Sequence, residues 1–157
     1  IEHVEFYQRD SLVPRDERDY CVPFGKAKVV RQGAACTVLA TSVMVPTALK
    51  VAEETGIDAE IIDMRSIGQL SVDCPLVLAS VPKTTRVVIA EQMASGFSPG
   101  RHWIAEIQAR AFDDLDHEIL HVTGSLSAPV VSAVLNKAAL GSAEKLREAL
   151  EFITQSA

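Results

Sequence analysis

Short apolar runs alternate with longer amphipathic segments along most of the chain. Five runs, rich in β-branched residues, have the length and composition of strands, and they cover residues 26–31, 36–41, 59–64, 86–91 and 118–122. Strands that alternate with helical segments are typical of βαβ units, in which helices cover both faces of a parallel sheet. The pattern therefore predicts one three-layer α/β/α domain.

The first two predicted strands are separated only by residues 32–35. A parallel pair needs a crossover of a dozen or more residues, whereas an antiparallel pair can be joined by a short turn. We therefore expect the first two strands to form an antiparallel hairpin. The sheet becomes five-stranded and mixed, mostly parallel with one antiparallel edge strand.

Helix punctuation supports the same layout. Ser42 precedes a segment with Pro46 in its first turn, and Gly56 ends that segment. Ser71 or Asp73 is a candidate N-cap for the next helix. Two later helices are predicted to begin at Ser98 and Ser142, and their buried faces hold Ile104, Ile107 and Ala111 in the first and Leu146, Ala149, Leu150 and Ile153 in the second.

The first 20 residues are polar and show no sustained period. We interpret residues 1–20 as an arm or linker and residues 21–157 as the α/β domain. A chain that starts at Ile1, without an initiator Met, is expected for a piece of a longer polypeptide.

Composition narrows the possible functions. The chain has 157 residues, 48% of them apolar, and a formal charge of −6. An acidic chain with 5% aromatic residues is a poor candidate for nucleic-acid binding, which needs clustered Lys and Arg and stacking surfaces. Three distant cysteines predict a reducing compartment and no zinc site, and no apolar run approaches a membrane span.

In open α/β sheets, ligands bind beyond the carboxyl ends of the strands. Thr41 and Ser42 are expected to act as a helix cap there, and Asp63 and Arg65 as a structural ion pair. Glu91 ends an apolar strand, where a buried carboxyl group is a candidate acid or base, although a structural role in accepting backbone N–H groups is the default interpretation.

The remaining polar groups give weaker signals. Four histidines are scattered over different elements, and His121 is expected to be a half-buried packing residue in the fifth strand. Asp113, Asp114 and Asp116 follow a predicted helix, where negative charge opposes the helix dipole. They are expected to be solvated or to face a partner.

Residues 19–33 and 111–124 carry a family resemblance. These two blocks, in this order, resemble the C-terminal, transketolase-C-like domain in the beta subunit of a 2-oxo acid dehydrogenase first component of the pyruvate, branched-chain or acetoin type. The resemblance covers nearly the whole chain. It departs from the family pattern at Ala90, where His is usual, and at residues 125–129, where an acid and a tyrosine are missing.

The resemblance implies a supporting role in a larger enzyme. Thiamine diphosphate and magnesium would belong to the full assembly and not to this domain, which alone should have no turnover. The implied partners are an alpha subunit, a second beta subunit and the binding domain of the dihydrolipoyl acyltransferase, for which Asp113, Asp114 and Asp116 are candidate contacts. The implied location is the cytoplasm, or the mitochondrial matrix in a eukaryote.

Two alternatives remain open from sequence. One is the equivalent domain of a transketolase or deoxyxylulose-phosphate synthase, which a basic phosphate-binding pair near Arg101 would favour. The other is a non-catalytic assembly module, which the replaced family positions would favour. The region that precedes Ile1 in the coding frame would distinguish them.

Overall fold

The computed structural model describes residues 3–10, 15, 20–67, 74–126 and 131–155. Its strands are β1 (Lys28–Arg31), β2 (Cys36–Ala40), β3 (Ala59–Asp63), β4 (Val87–Ala94) and β5 (Leu120–Gly124). Its α-helices are α1 (Met44–Thr55), α2 (Cys74–Thr84), α3 (Gly100–Ala111), α4 (Ala133–Ala139) and α5 (Ala143–Gln155). Short 3₁₀ turns cover Val4–Gln8, Ser95–Phe97 and Phe112–Asp114.

The sheet has five strands in the order β1-β3-β2-β4-β5. β1 is antiparallel to β3, and all other neighbours are parallel. The predicted mixed sheet with one antiparallel edge strand is confirmed, and each predicted strand lies within three residues of an observed one.

The predicted hairpin between the first two strands is wrong. β3 lies between them, so β1 pairs with β3 and not with β2. Residues 32–35 cross the start of β3, where the N–H groups of Ala34 and Ala35 both donate to the carbonyl oxygen of Asp58. Gly33 permits this crossing because a Cβ there would overlap the backbone of Ala59. Local chain length allowed a hairpin, but β3, which is buried at four of its five residues, lies between β1 and β2.

Two apolar layers cover the sheet. On one face, α1 and α5 bury side chains that include Met44, Val51, Leu146, Leu150 and Ile153 against β2 and β4. On the other face, α2 and α3 bury Val77, Val81, Trp103 and Ile107. The predicted three-layer arrangement follows from helices that each present one apolar stripe.

The helix ends correct two predicted caps and confirm one. Ser142 Oγ accepts the N–H of Lys145 at 3.3 Å, as expected for an N-cap. Ser42 does not cap α1, because it adopts φ = 50° and the turn closes through backbone bonds. Ser98 does not cap α3 with its hydroxyl group, which binds Glu91 instead. The candidate caps Ser71 and Asp73 lie outside the described residues.

α4 was not predicted, and every residue from its N-cap Ser132 to Ala138 is exposed. It lacks the buried stripe on which helix prediction depends. Among the described helices, none has the length and apolar character needed to span a bilayer.

Candidate functional site at the carboxyl ends of the strands

Glu91 lies in β4 and is completely buried. Side chains alternate between the two faces of a strand, so Glu91 points to the same layer as Ile89, the layer of α2 and α3. Its Oε1 atom accepts the N–H of Gly100 at 3.2 Å and the hydroxyl of Ser98. The same oxygen lies 2.6 Å from Nε2 of His121.

Gly100 begins α3, so the partial positive charge of a helix N-terminus faces the Glu91 carboxylate. A Cβ atom at Gly100 would lie 2.6 Å from His121 Nε2 and 2.8 Å from Ile89 Cγ2, and nearer still to Glu91 Oε1. Such contacts are too close for real side chains. Glycine at this position therefore lets the helix start approach the carboxylate.

The group formed by Glu91, Ser98 and His121 is not a nucleophile relay. In a Ser-His-acid triad, one ring nitrogen faces the serine and the other faces the acid. Here Nε2 of His121 lies 2.6 Å from Glu91 Oε1 and 3.1 Å from Ser98 Oγ, and the serine hydroxyl donates to the carboxylate. The arrangement orients three chain segments around one oxygen atom and does not activate Ser98.

The second carboxylate oxygen of Glu91 differs from the first. Oε2 is buried and has no hydrogen-bond partner within the described residues. Buried carboxylate oxygens are normally paired, so this atom is the exception at the carboxyl edge. The Gly100 N–H is a backbone donor of the kind that the structural interpretation of Glu91 expects.

Neighbouring loops complete this edge. β2 and β4 are adjacent, and the chain leaves them toward opposite sides of the sheet, which is the topology that opens a crevice for ligands. Ser42 and Arg65 follow β2 and β3 with φ values of 50° and 56°. The expected ion pair is present, with Arg65 Nε 3.5 Å from Asp63 Oδ2. His3 Nε2 lies 3.0 Å from Gln92 Oε1, so the segment predicted as an arm touches the same edge.

The three aspartates lie close together in the chain, but they make different contacts. Asp113 and Asp114 are exposed in the turn that follows α3, next to Phe112, whose side chain is 64% exposed. Asp116 accepts the Thr85 hydroxyl at 2.7 Å, and its N–H donates to the Thr85 carbonyl at 2.9 Å. Asp116 therefore also holds the turn between α2 and β4.

The described residues offer no clustered metal ligands and no activated thiol at Cys36. Among the described residues, no three His, Cys, Asp or Glu side chains are placed to hold a metal ion. Burial raises the pKa of the Cys36 thiol to about 12, which keeps it protonated and unreactive. Cys21 is exposed.

Sequence reasoning selected Glu91 but missed its partners. His121 is not only a packing residue, since its side chain is 15% exposed and bonded to Glu91. Ser98 was expected only to begin a helix, and no role was predicted for Gly100. Strand alternation offered one signal, because Ile89 and Glu91 share a face with His121, which pairs with Ile89 on the neighbouring strand.

Comparison with known proteins agrees with this architecture. The family model "Transketolase, C-terminal domain" matches residues 25–146. Among solved structures, a protein described as "Split gene transketolase, inactive beta4 tetramer" superposes with a TM-score of 0.69 at 24% identity, over 87% of this chain and 44% of that one.

Curated relatives point to one class of subunit. The 2-oxoisovalerate dehydrogenase subunit beta of Pseudomonas aeruginosa is 45% identical over 105 residues, which cover 67% of this chain and 29% of the relative. The pyruvate dehydrogenase E1 component subunit beta of Porphyra purpurea is 31% identical over 99% of this chain and 47% of its own length. The subunit of the same name from Rhizobium meliloti is 33% identical, over 98% of this chain and 33% of its own length.

The five-stranded mixed sheet between two helical layers defines an α/β domain with the fold of the solved transketolase chain described above. The chain belongs to the transketolase C-terminal domain family. It spans less than half the length of the curated relatives described above. The resemblance noted in the sequence is confirmed.

Proposed function

We propose that this chain is the C-terminal part of the beta subunit of a 2-oxo acid dehydrogenase, and that it supports thiamine-dependent oxidative decarboxylation by assembly with other polypeptide regions. The observation that carries this proposal is its similarity to dehydrogenase beta subunits, which reaches 45% identity and extends in others over 98–99% of the chain. An alpha subunit and a second beta subunit are the partners that this role requires.

The proposal assigns thiamine diphosphate and magnesium to other parts of the assembly. Among the described residues, no three His, Cys, Asp or Glu side chains are placed to hold a metal ion, and Glu91 is enclosed by protein atoms. No chemical step is therefore assigned to these residues. Glu91 is proposed as a positioning residue that fixes Ser98, and with it the loop that carries Phe97, a side chain 85% exposed at this edge.

A chimeric subunit tests the proposal. This chain would replace the corresponding C-terminal region of the Pseudomonas aeruginosa 2-oxoisovalerate dehydrogenase subunit beta, and the chimera would be expressed with its alpha subunit. We expect an assembled complex that decarboxylates a 2-oxo acid, with the native subunit and a chain truncated before this region as controls. A chimera that folds but neither assembles nor turns over would contradict the proposal.

Docking of the acyltransferase is the second element of the proposed role. Asp113 and Asp114 present two carboxylates beside the exposed Phe112 ring, which suits a small basic domain with an apolar contact. Charge-assisted contacts at an exposed surface weaken as salt rises. We therefore propose Asp113, Asp114 and Asp116 as docking residues, with Asp116 also engaged by Thr85.

Titration with an isolated acyltransferase binding domain tests this surface. Asp113→Asn with Asp114→Asn should weaken binding by about tenfold at low salt, and the difference should shrink at high salt. Glu151→Gln, which removes a charge at another exposed position, on α5, serves as the control. Binding that neither salt nor the double substitution affects would remove these carboxylates from the proposal.

The alternative of a transketolase or deoxyxylulose-phosphate synthase domain shares the family but has less support. Arg101, the group that would mark a sugar-phosphate site, donates through Nε to the carbonyl oxygen of Ser95. The relatives compared above by sequence are named as dehydrogenase subunits. A non-catalytic assembly module is the outcome in which the chimera assembles but does not turn over.

A further inference from the structure

The two edges of the sheet are built differently. The β1 edge has only four residues, it carries Lys28 and Arg31, and its register with β3 shifts between Val29 and Arg31. Short length, basic side chains and an irregular register are the features that keep an edge strand from pairing with another chain. The β1 edge is therefore protected.

The β5 edge is one residue longer and its register with β4 also shifts, between Ala90 and Ala94, but it carries no Lys or Arg side chain. Leu120–Gly124 contains no charged residue and no proline, and within the described residues β5 pairs with a strand, β4, on one side only. An unprotected edge strand presents outward N–H and C=O groups that can accept another strand. All five residues of β5 also line an open groove of about 410 Å³.

The opposite wall of this groove is α5, and its chemistry changes along its length. Lys145 lies where β5 ends, because its Nζ donates to the Leu140 carbonyl while the Ser125 N–H donates to Ala139 nearby. Phe152 lies where β5 begins, since its ring stacks edge-on against His117 at 5.3 Å. The groove thus runs from a cation, past Glu148, to an aromatic ring.

Pairing of β5 with a second copy of itself does not suit this groove. A twofold axis through the middle of β5 at Val122 would bring the middle of one α5 toward the middle of the other. The two Glu148 carboxylates, exposed in each copy, would then approach each other. Like charges in facing positions are destabilising, so the groove favours a strand of different sequence.

We propose that β5 accepts a sixth strand from a partner polypeptide. This strand runs antiparallel to β5, and its alternate side chains are acidic opposite Lys145, basic opposite Glu148 and apolar opposite Phe152. The seven helical steps from Lys145 to Phe152 span about 10 Å, and the four strand steps between the first and third of these side chains span about 13 Å, a difference that long side chains can bridge. Backbone bonds would supply affinity and the alternating side chains specificity.

A synthetic peptide tests the proposal directly. The capped peptide TETKTVT has the required alternation, and its binding to the 157-residue chain would be followed by amide chemical shifts. We expect shifts concentrated in Leu120–Gly124, with a dissociation constant below about 1 mM. The same peptide with N-methylated backbone nitrogens retains the side chains but loses the donors, and it should not bind. Shifts elsewhere, no shifts at about 1 mM, or equal binding of the methylated peptide would overturn the proposal.

A charge exchange tests the groove chemistry. Glu148→Lys should weaken TETKTVT by at least about fivefold and strengthen the peptide TETETVT, whereas Glu151→Lys makes the same charge change on α5 outside the groove and should do neither. Equal effects of the two substitutions would overturn the proposal. Self-association of the free chain that slows hydrogen exchange of the β5 amides would also overturn the proposal. In that case a second copy of the chain, and not a partner polypeptide, would occupy the edge.

Discussion

Two buried glutamates stand at opposite ends of the same sheet face, and they are satisfied in different ways. Near the amino ends of the strands, Glu60 is 4% exposed and uses both oxygens. Its Oε1 accepts the Ser80 hydroxyl at 2.5 Å, and its Oε2 pairs with Lys83 Nζ at 2.7 Å. Ser80 in turn bonds Thr37 at 2.6 Å, so the network ties β2 and β3 to α2.

Near the carboxyl ends, one oxygen of Glu91, Oε1, contacts the N–H of Gly100, the hydroxyl of Ser98 and Nε2 of His121. Its other oxygen has no partner within the described residues, and its basic neighbour is a histidine and not a lysine. A permanent cation and full pairing suit a purely architectural role. The Glu91 cluster, in contrast, lies at the edge where α/β proteins bind ligands. Its Oε2 atom has no hydrogen-bond partner within the described residues, which is unusual for a buried carboxylate oxygen.

Removal of Glu91 should have the largest effect. Glu91→Ala leaves the buried N–H of Gly100 without an acceptor and removes the carboxylate partner of His121, and we expect a loss of about 3–5 kcal/mol in the free energy of unfolding. Glu60→Gln should cost only about 1–2 kcal/mol, because Gln still accepts from Ser80 and the Lys83 head, 41% exposed, can turn to solvent. Urea unfolding measures both, with the exposed Glu118→Ala as control. Equal losses would erase the distinction between the clusters.

Gly100→Ala tests how tightly the Glu91 cluster is packed. The new methyl group would press on Glu91, His121 and Ile89, and we expect a loss of about 1–3 kcal/mol despite the better helix propensity of Ala. Gly96→Ala is the matched control, because its Cβ would meet only the end of the Leu126 side chain, which can move. Thermal unfolding measures both variants. A Gly100→Ala variant as stable as Gly96→Ala would show that the start of α3 is not tightly packed against Glu91, His121 and Ile89.

Substitution of the two serines tests whether each glutamate has other hydrogen-bond partners that compensate for the lost hydroxyl. Ser98→Ala removes one of three groups at Glu91 Oε1, so we expect a cost of about 0.5–1 kcal/mol. Ser80→Ala removes the only described donor to Glu60 Oε1 and should cost about 1–2 kcal/mol. Denaturant titration of the two variants, with Ser66→Ala as a part-buried reference, measures the difference. If Ser98→Ala cost more stability than Ser80→Ala, the Ser98 hydroxyl would be the main support of the Glu91 cluster, contrary to this prediction.

The Cys36 thiol reports on the amino end of the sheet and should show the smallest effect. Burial raises the pKa of Cys36 to about 12, so thiol reagents at neutral pH label it only when the fold opens. Ser80→Ala should accelerate this labelling about fivefold or more, and Ser98→Ala less, when peptide mapping resolves it from the exposed Cys21. Because an unfolded thiol ionises near 9.0, this part of the stability is lost as pH rises from about 9 toward 12. Rapid labelling of Cys36 in the unaltered chain would contradict its burial.

The amino-acid sequence by itself determined the elements and the fold class of this protein. Apolar periodicity placed the strands near their observed positions, Ser142 signalled the start of α5, and Gly56, at φ = 70°, ended α1. These features depend on neighbours within a few residues, which a linear pattern records. The same alternation placed Glu91 at a buried strand end, which made it a candidate before its partners were known.

Only the tertiary structure decided which strand lies beside which and which polar groups meet. The short link at residues 32–35 fitted a hairpin, but β3 gains more contact between β1 and β2, so the link crosses it. Ser98 looked like a cap until the distant Glu91 took its hydroxyl, and the pattern of β5 gave no sign of its open edge. Pairings across tens of residues depend on the global balance of burial and hydrogen bonding, and local preferences yield to it.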